Sequence, residues 1–390
     1  MELRERSIVQ ALDHSGAMRY QMLETLREFA EEHLDTDEMP DAHTRHGLYF
    51  LGLAEQAEPH LIGADTAEWL NRLQDDYANF RTALKYFLKS PSGSKLFKEH
   101  EGLRLASSLI RFWYVRGYYE EGQEWLELAL KSDIQAPAPL RLNALRGLGN
   151  IAFEGGKGQI SRAAYQELLE LSKKENDQSS LAAALCGLGN IAKMEGNLET
   201  ARSLREESLR LCHEIGDERG IAVNAANLAN VLMAQGEGDR ARQLYQESLD
   251  LFRSQEDTQN IVLALNNLAH AYLELKEDKA AYGCLMESLT LLHRLENKFG
   301  FIHAIINLTN LFGRYHNALQ AVRLLGSASA QIDQMMLPKT HYLSDNLNVE
   351  RMKLRTALDT REFEDNWNYG LSIPFEQAIQ IAQEPLSELL

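Results

Sequence analysis

The sequence predicts an all-α solenoid of stacked helical hairpins, and three observations support this prediction. The pentapeptide LGNIA at Leu148 recurs at Leu188, and related strings follow at the same 40-residue spacing, LANVL at Leu228, LAHAY at Leu268 and LTNLF at Leu308. Each period contains two segments with apolar residues three and four apart, which is helical periodicity. A glycine-containing turn separates the two segments. Self-similarity with a period of roughly 20–50 residues is typical of stacked-repeat folds.

Composition narrows the classes of function. The chain has 390 residues and a formal net charge of −17, which argues against direct nucleic-acid binding by this chain. It contains no run of about 18 apolar residues, and the start MELRERS lacks the apolar region of a signal peptide. We therefore expect a cytoplasmic protein that does not span a membrane. Cys186, Cys212 and Cys284 show no metal or redox spacing, and we expect buried free thiols.

The part before the repeats has its own pattern. Two β-compatible runs, residues 7–13 and 18–23, flank a short turn and predict a hairpin. The string LETLREFAEEHL predicts an amphipathic helix, and two more helical strings precede the loop at residues 90–95. We therefore expect a hairpin-plus-helix segment over residues 1–35 and a helical adapter over residues 36–100.

Small residues keep the repeats in phase. They recur in the first helix of each hairpin at Gly149, Gly189, Ala229 and Ala269, and in the second at Ala201, Ala241, Ala281 and Ala321. Helices that cross at about 8–10 Å need short side chains at the closest point. Gly196 and Gly236 supply the turn within a hairpin, and Gly216 separates two hairpins.

A less regular unit precedes the first clear repeat. It has Gly117 at its turn and Gly122 at the small position of its second helix. We therefore expect about six repeats over residues 101–325, followed by a helical cap over residues 326–390. Trp113 is in phase with core positions of the later repeats, so we expect it to be buried.

This pattern resembles the tetratricopeptide repeat, although a period of 40 residues is longer than the usual one of about 34. The strings RYQMLETLREFAEEHL, RHGLYFLGLAEQAEPHL, WLNRLQDDYANFRTAL and RFWYVRGYYEEGQEWLELAL are similar to the junction between a winged-helix segment and a tetratricopeptide sensor region. That junction is typical of STAND-class signalling ATPases, including LuxR-type and AfsR-like bacterial transcriptional regulators. The resemblance implies a right-handed α-α superhelix with a winged-helix remnant at residues 1–35.

The residues do not supply the catalytic parts of that class. The nearest string to a phosphate-binding loop, GGKG at residues 155–158, has no Ser or Thr after the lysine and lies at a repeat turn. We expect ATP to be bound only by a module outside this chain. The pair His43 and His46 suggests no third metal ligand, and paired acids such as Glu206 and Glu207 fit a solvated helix face. We predict no catalytic residue, no metal and no cofactor.

One position of the first helices carries polar residues within an apolar run. We call these residues the ladder, and they are Asn150, Asn190, Asn230, His270 and Asn310. Asparagine costs roughly 0.6 kcal/mol against alanine inside a helix, so helix propensity does not select it. In the tetratricopeptide pattern this position faces the concave groove, where amides can bond the main chain of an extended peptide. Alternatively, the amides bridge neighbouring repeats and fix their stacking. The two roles are compatible.

Further candidates for the groove lie near the ladder residues. They are Asn227, Asn266, Asn267, Arg146, Arg111, Tyr114 and Lys193. Three functions remain open at this point. The first is a sensor and protein-interaction region of a STAND-type regulator, which binds an extended peptide or a partner protein. The second is a stand-alone tetratricopeptide scaffold that bridges partner proteins, and the third is a sensor of a small-molecule inducer.

Overall fold

The computed structural model describes most of the chain. The described residues are 9–14, 17–22, 39–62, 65–89, 100–295, 298–315, 317–334 and 342–384, with isolated positions 26 and 29. The predicted turn of the hairpin, most of the helix expected at residues 23–34 and the predicted loop at 90–95 lie outside them. The chain divides into two compact units, Met1–Glu167 and Leu168–Leu390. The domain boundaries expected at residues 35, 100 and 325 stay predictions.

Two strands form an antiparallel pair near the start of the chain. Strand β1 (Val9–His14) pairs with β2 (Ala17–Met22), with the Cα of Val9 opposite that of Met22. These strands lie in the two β-compatible runs. The pairing alone does not identify the larger element to which such a hairpin belongs.

The remainder of the first unit is helical. Its helices are α1 (Met39–Ala57), α2 (Thr66–Asp75), α3 (Tyr77–Lys89), α4 (Glu101–Ser108), α5 (Ile110–Arg116), α6 (Tyr119–Ser132) and α7 (Ala138–Glu154), with a 3-10 turn at Glu58–Leu61. Trp113 is fully buried, and its Nε1 donates to the Tyr77 hydroxyl at 2.8 Å. The core position predicted for Trp113 from its phase is confirmed.

Helix α8 (Gly158–Glu175) contains the boundary between the units, and the second unit continues the same hairpins. Its helices are α9 (Gln178–Met194), α10 (Leu198–Ile215), α11 (Glu218–Ala234), α12 (Gly238–Ser254), α13 (Thr258–Glu274), α14 (Asp278–Leu295), α15 (Lys298–Arg314) and α16 (Ala318–Gln334). The first helices α7, α9, α11, α13 and α15 begin at residues 138, 178, 218, 258 and 298. The predicted period of 40 residues is therefore the period of the observed hairpins.

Local sequence explains where these helices begin and end. Asp177 and Asp217 cap α9 and α11, because each side chain accepts a hydrogen bond from the backbone N–H three residues later, at 3.0 and 2.9 Å. Gly196 follows α9 with φ 79°, and the N–H of Asn197 then bonds the carbonyl of Ala192 at 2.9 Å. Glycine suits this left-handed conformation, since it has no Cβ.

Three further helices follow the last hairpin and pack on it. They are α17 (Tyr342–Ala357), α18 (Thr360–Ser372) and α19 (Phe375–Ala382). The side chains of Phe363, Trp367 and Ile373 are buried in the same apolar cluster as Leu325. Helix α16 itself continues to Gln334, nine residues past the boundary expected at 325. The tail thus covers apolar surface of the last hairpin.

Helices α16 and α18 touch through two glycines. A Cβ built on Gly370 would lie 2.2 Å from the carbonyl oxygen of Arg323, and one built on Gly326 would lie 2.6 Å from that of Trp367. Both neighbours are backbone atoms, which cannot rotate away. The contact between the last hairpin and the tail therefore requires glycine at both positions.

We expect Gly370→Ala to lower the free energy of unfolding by about 1–3 kcal/mol, because the added methyl group separates α16 from α18. Chemical denaturation measures this change. The matched control is Gly283→Ala in α14, where a Cβ meets nothing within 4 Å. That change is expected to stabilise by roughly 0.5–1 kcal/mol through helix propensity. Equal effects of the two substitutions would contradict the close crossing.

Candidate ligand-binding groove

A cavity of about 820 Å³ lies in the second unit, along the faces of its first helices. Five of the twelve groove candidates line it, namely Lys193, Asn230, Asn267, His270 and Asn310. Asn230, His270 and Asn310 of the periodic series come from three successive first helices, α11, α13 and α15, and Lys193 adds a residue from α9. The side chains of Met233, Leu263 and Ile306 supply apolar wall between the polar groups.

Each asparagine of the first three ladder positions bonds to the second helix of its own hairpin. Asn150 accepts from the Tyr165 hydroxyl at 2.6 Å, and Asn230 accepts from the Tyr245 hydroxyl at 2.7 Å. Asn190 accepts from Nη2 of Arg205. The partner is always 15 residues later. The amide oxygen therefore ties two helices of one repeat, whereas the expected structural role was a bridge between neighbouring repeats.

These ties leave the amide nitrogens available. Among the described residues, Nδ2 of Asn150, Asn190 and Asn230 donates no hydrogen bond within the protein. Asn230 lines the cavity, and its partner Tyr245 lies deeper, where burial raises the pKa of the phenol. A neutral phenol thus holds the amide oxygen, and the two N–H donors of the amide remain for a ligand.

Asn266 has the bridging role instead. It is fully buried, donates from Nδ2 to the carbonyl of Gly300 at 3.1 Å and accepts from the Ser288 hydroxyl at 2.8 Å. Asn307 returns a bond from the next repeat, from its Nδ2 to the carbonyl of Asn266 at 2.8 Å. Asn266, a predicted groove residue, is therefore placed in the core, while Asn307 bridges repeats and also lines the cavity.

Two imidazoles meet in the cavity, His270 on α13 and His303 on α15. Nδ1 of His303 is enclosed and has no hydrogen-bond partner within the described residues. Burial lowers the pKa of His303 to about 4, with a smaller contribution from the nearby His270. Burial also lowers the pKa of His270, against the effect of Glu274. Both rings are therefore neutral at pH 7 and offer one donor and one acceptor each.

Helix α17 supplies a wall that the repeats do not. Asn346, Val349, Glu350 and Lys353 of this helix line the cavity, and Lys353 pairs with Glu350 at 2.6 Å. These residues were not predicted, because they lie outside the 40-residue period. His303 was not predicted either, because its only signal was a single imidazole within the apolar stretch 299–306.

The other candidates lie outside this cavity. Asn227 is partly buried on α11, three residues before Asn230. Three more belong to the first unit. Arg146 donates to Asn143 at 3.0 Å, and the Tyr114 hydroxyl donates to Glu154 at 3.3 Å. The guanidinium of Arg111 lies 5.6 Å from the centre of the Tyr114 ring.

The described part of the chain has neither a candidate metal site nor a candidate membrane span. No group of three or more His, Cys, Asp or Glu residues there is arranged to hold a metal ion. No helix among the same residues is both long enough and apolar enough to span a bilayer. Cys186, Cys212 and Cys284 are free, and burial raises the pKa of the Cys212 and Cys284 thiols to about 11.

Comparison with known sequences identifies the repeat type. Residues 220–292 match the family profile of the tetratricopeptide repeat, which confirms that prediction. Over 189 residues the chain is 26% identical to proteins of Mycobacterium bovis and Mycobacterium tuberculosis that carry the provisional name HTH-type transcriptional regulator. The match covers 46% of this chain and 21% of each relative. The chain thus spans about a fifth of the length of these curated relatives.

Comparison with solved structures agrees on the fold. The apo form of the quorum sensor NprR from B. thuringiensis is 14% identical with a TM-score of 0.54, over 92% of this chain and 91% of that one. A Rap protein complexed with competence and sporulation factor is 10% identical with a TM-score of 0.51, over 84% and 99%. These likenesses show an all-helical tetratricopeptide fold. They give no support to reading the N-terminal hairpin as a winged-helix remnant.

The pKa of His303 gives a pH-dependent stability. Because the folded pKa is about 4 and the ordinary value is 6.5, the unfolded state binds a proton first as the pH falls. Stability that is present above pH 6.5 is therefore lost between pH 6.5 and 4, by about 2 kcal/mol at pH 5. Denaturant titrations at pH 7 and pH 5 measure this fall in the free energy of unfolding. In His303→Gln we expect the fall to be smaller by about 2 kcal/mol. Equal losses in both proteins would contradict a buried neutral imidazole.

Replacing Asn266 tests the bridge between repeats. We expect Asn266→Ala to cost about 2–3 kcal/mol of unfolding free energy, because the Ser288 hydroxyl and the Gly300 carbonyl each lose a partner in the core. Asn227→Ala, on a partly buried face of α11, is the matched control and should change stability by less than about 0.5 kcal/mol. Similar costs at both positions would show that the bridge is not specific.

Proposed function

We propose that this chain is the partner-recognition region of a STAND-type signalling or transcriptional regulator, and that its groove binds an extended peptide, free or within a partner protein. One observation carries the proposal. Neutral amide and imidazole side chains of three successive first helices meet in one cavity, namely Asn230, Asn267, His270, Asn307 and Asn310. Such groups bond N–H and C=O groups without requiring charge on the ligand.

The chemistry of the cavity fits a main chain. An extended peptide rises about 3.3 Å per residue and alternates donors and acceptors, which amides spaced along a groove can meet. Asn230 is set for this role, since its oxygen is held by Tyr245 and its Nδ2 carries two donors. Met233, Leu263 and Ile306 provide apolar contacts between the amides. The lining favours recognition rather than covalent chemistry.

The comparisons support the regulatory context. The sequence relatives carry the name HTH-type transcriptional regulator, and the solved folds include a quorum sensor and a Rap protein complexed with competence and sporulation factor. In this proposal the chain supplies recognition, and ATP and DNA are bound by other modules. A scaffold that bridges partner proteins would use the same groove without those modules.

A second candidate is the sensing of a small-molecule inducer. The cavity volume of about 820 Å³ lies within the range of roughly 300–1,000 Å³ that is typical of small-molecule sites. Helix α17 also adds a wall beside the repeats, which suits a compact ligand. A compact molecule would contact two or three adjacent repeats, whereas an extended peptide would reach from Lys193 to Asn310.

Peptide selection tests the proposal. Random linear peptides are selected on the full chain, and the affinity of a labelled binder is measured by fluorescence anisotropy. We expect Asn230→Ala and Asn310→Ala each to weaken binding by about 1–3 kcal/mol, because a peptide group then lacks its hydrogen bond. Melting curves of each variant separate this loss from loss of the fold, since Asn230→Ala also frees the Tyr245 hydroxyl.

The control is Asn227→Ala, which lies on the same helix as Asn230 but does not line the cavity. Its affinity for the peptide is expected to match that of the wild type. Selected peptides that bind all variants equally would contradict recognition in this groove. Loss at Asn310 or Asn230 alone, together with a bound metabolite in native mass spectrometry, would favour the small-molecule candidate.

A further inference from the structure

Arg205 differs from its neighbours in the second unit. Arg202, Arg210, Arg240, Arg242 and Arg253 each form an ion pair with a carboxylate. Arg205 is 1% exposed and forms none among the described residues. Its Nη1 donates to the thiol of Cys186 at 3.0 Å and its Nη2 to the amide oxygen of Asn190, while Nε is buried without a partner. A buried cation without a counter-charge is costly.

The internal tie of the hairpin does not require this charge. Arg205 occupies the phase of Tyr165 and Tyr245, whose neutral hydroxyls donate to the equivalent asparagines. The chain also has 57 acidic against 40 basic residues, so carboxylates are abundant. A tyrosine at position 205 would hold the amide oxygen of Asn190 at a lower desolvation cost. The hydrogen bond to Asn190 alone therefore does not account for a guanidinium at this position.

A second cation, Lys193, lies one turn from Asn190 at the α9 end of the cavity. Lys193 lines the cavity and forms no ion pair within the described residues. Lys193 follows Asn190 by one turn of α9, and the amide oxygen of Asn190 accepts from Arg205, so the same asparagine lies next to both cations. The other lysine of the lining, Lys353, is paired with Glu350. Within the part of the chain that the structure describes, neither Lys193 nor Arg205 has a carboxylate partner.

We propose that this end of the groove is an anion-binding subsite, formed by Lys193 and the amide nitrogen of Asn190. Arg205 on α10, which bonds the amide oxygen of Asn190, adds positive charge. Asn190 precedes Lys193 by one turn on α9, so both donors lie on one face of that helix. The ligand group is a carboxylate or a phosphate, held by charge-assisted hydrogen bonds. Where it is the carboxylate of a peptide, this inference rests on the function proposed above.

The subsite would also orient the ligand. Amides along the groove bond main-chain groups of a peptide in either direction, since each offers donors and an acceptor. A positive end breaks this symmetry, because only one end of an extended peptide, or one acidic side chain, places an anion beside Lys193. The direction and register of the bound peptide would then be set by the residues of α9. The asparagines of the other first helices would bond its main chain in that register.

Three probes test the subsite on the full chain at matched ionic strength. They are inorganic phosphate, acetyl-trialanine with a free carboxylate and acetyl-trialanine amide, each titrated while side-chain amide signals are followed by NMR. The variants are Lys193→Gln and Arg205→Tyr, and the control is Lys279→Gln, because Lys279 is exposed on α14 and does not line the cavity. We expect each of the first two to weaken anion binding by about tenfold or more, and the control to leave it unchanged. Acetyl-trialanine amide should not bind measurably at that end of the groove, either in the wild type or in any variant.

The outcomes separate the sources of the anion and the two proposals. Phosphate binding alone identifies a phosphate ligand, tripeptide binding alone a peptide carboxylate, and either result supports the subsite. It is overturned if neither anion binds, or if Lys193→Gln binds both as the wild type does. Lys193→Gln still tests the subsite if Arg205→Tyr fails to fold, because Lys193 is exposed. Should the subsite fail while selected peptides still depend on Asn230 and Asn310, the proposed function stands without it.

Discussion

The close approach of the two helices within a hairpin is the constraint on which the rest of the repeat structure depends. The first helices α7, α9, α11 and α13 have glycine or alanine at the crossing, and the side chain 16 residues later packs there. A Cβ on Gly149 would lie 2.7 Å from the Tyr165 ring, and one on Gly189 would lie 3.0 Å from Nε of Arg205. The polar end of that side chain then bonds the asparagine that follows the glycine. Steric fit and hydrogen bond together fix the rotation of the first helix.

Once that rotation is fixed, so is the face that each first helix presents. Residues three or four apart on a helix lie on one side, so Asn267 and His270 on α13, and Asn307 and Asn310 on α15, line the same cavity. The polar groups there are mostly neutral, although the chain as a whole carries a charge of −17. Neutral amides and imidazoles keep their donors and acceptors in an enclosed space at a smaller desolvation cost than charges would incur.

The sequence predicted the repeats well because their signal is periodic and local. The 40-residue period, the turn glycines and the burial of Trp113 all follow from spacing, which packing enforces at each copy. The groove was predicted less completely. Spacing alone did not separate Asn266, which faces the core, from Asn267, which faces the cavity. One step along a helix turns a side chain by about 100°, so neighbours with the same chemistry have different roles.

Contacts between side chains of different helices could not be predicted from spacing. The partner of each ladder asparagine lies on another helix and changes from tyrosine to arginine between repeats. The wall from α17 comes from a segment with no counterpart in the array, so no internal comparison reveals it. His303 has no equivalent imidazole at the same phase in the earlier first helices, where Leu263 and Val223 occur. Both features depend on tertiary packing rather than on local pattern.

The wall formed by α17 also bears on how such a chain can diverge. Solenoids commonly change length by duplication or deletion of whole units, and an open groove simply lengthens or shortens with them. Here α17 follows the last hairpin, so a unit inserted between α12 and α13 would carry the wall away from Lys193 together with α15. The length of the cavity therefore changes in steps of one 40-residue unit. Smaller changes in the length of ligand that it accepts depend on substitutions on α17.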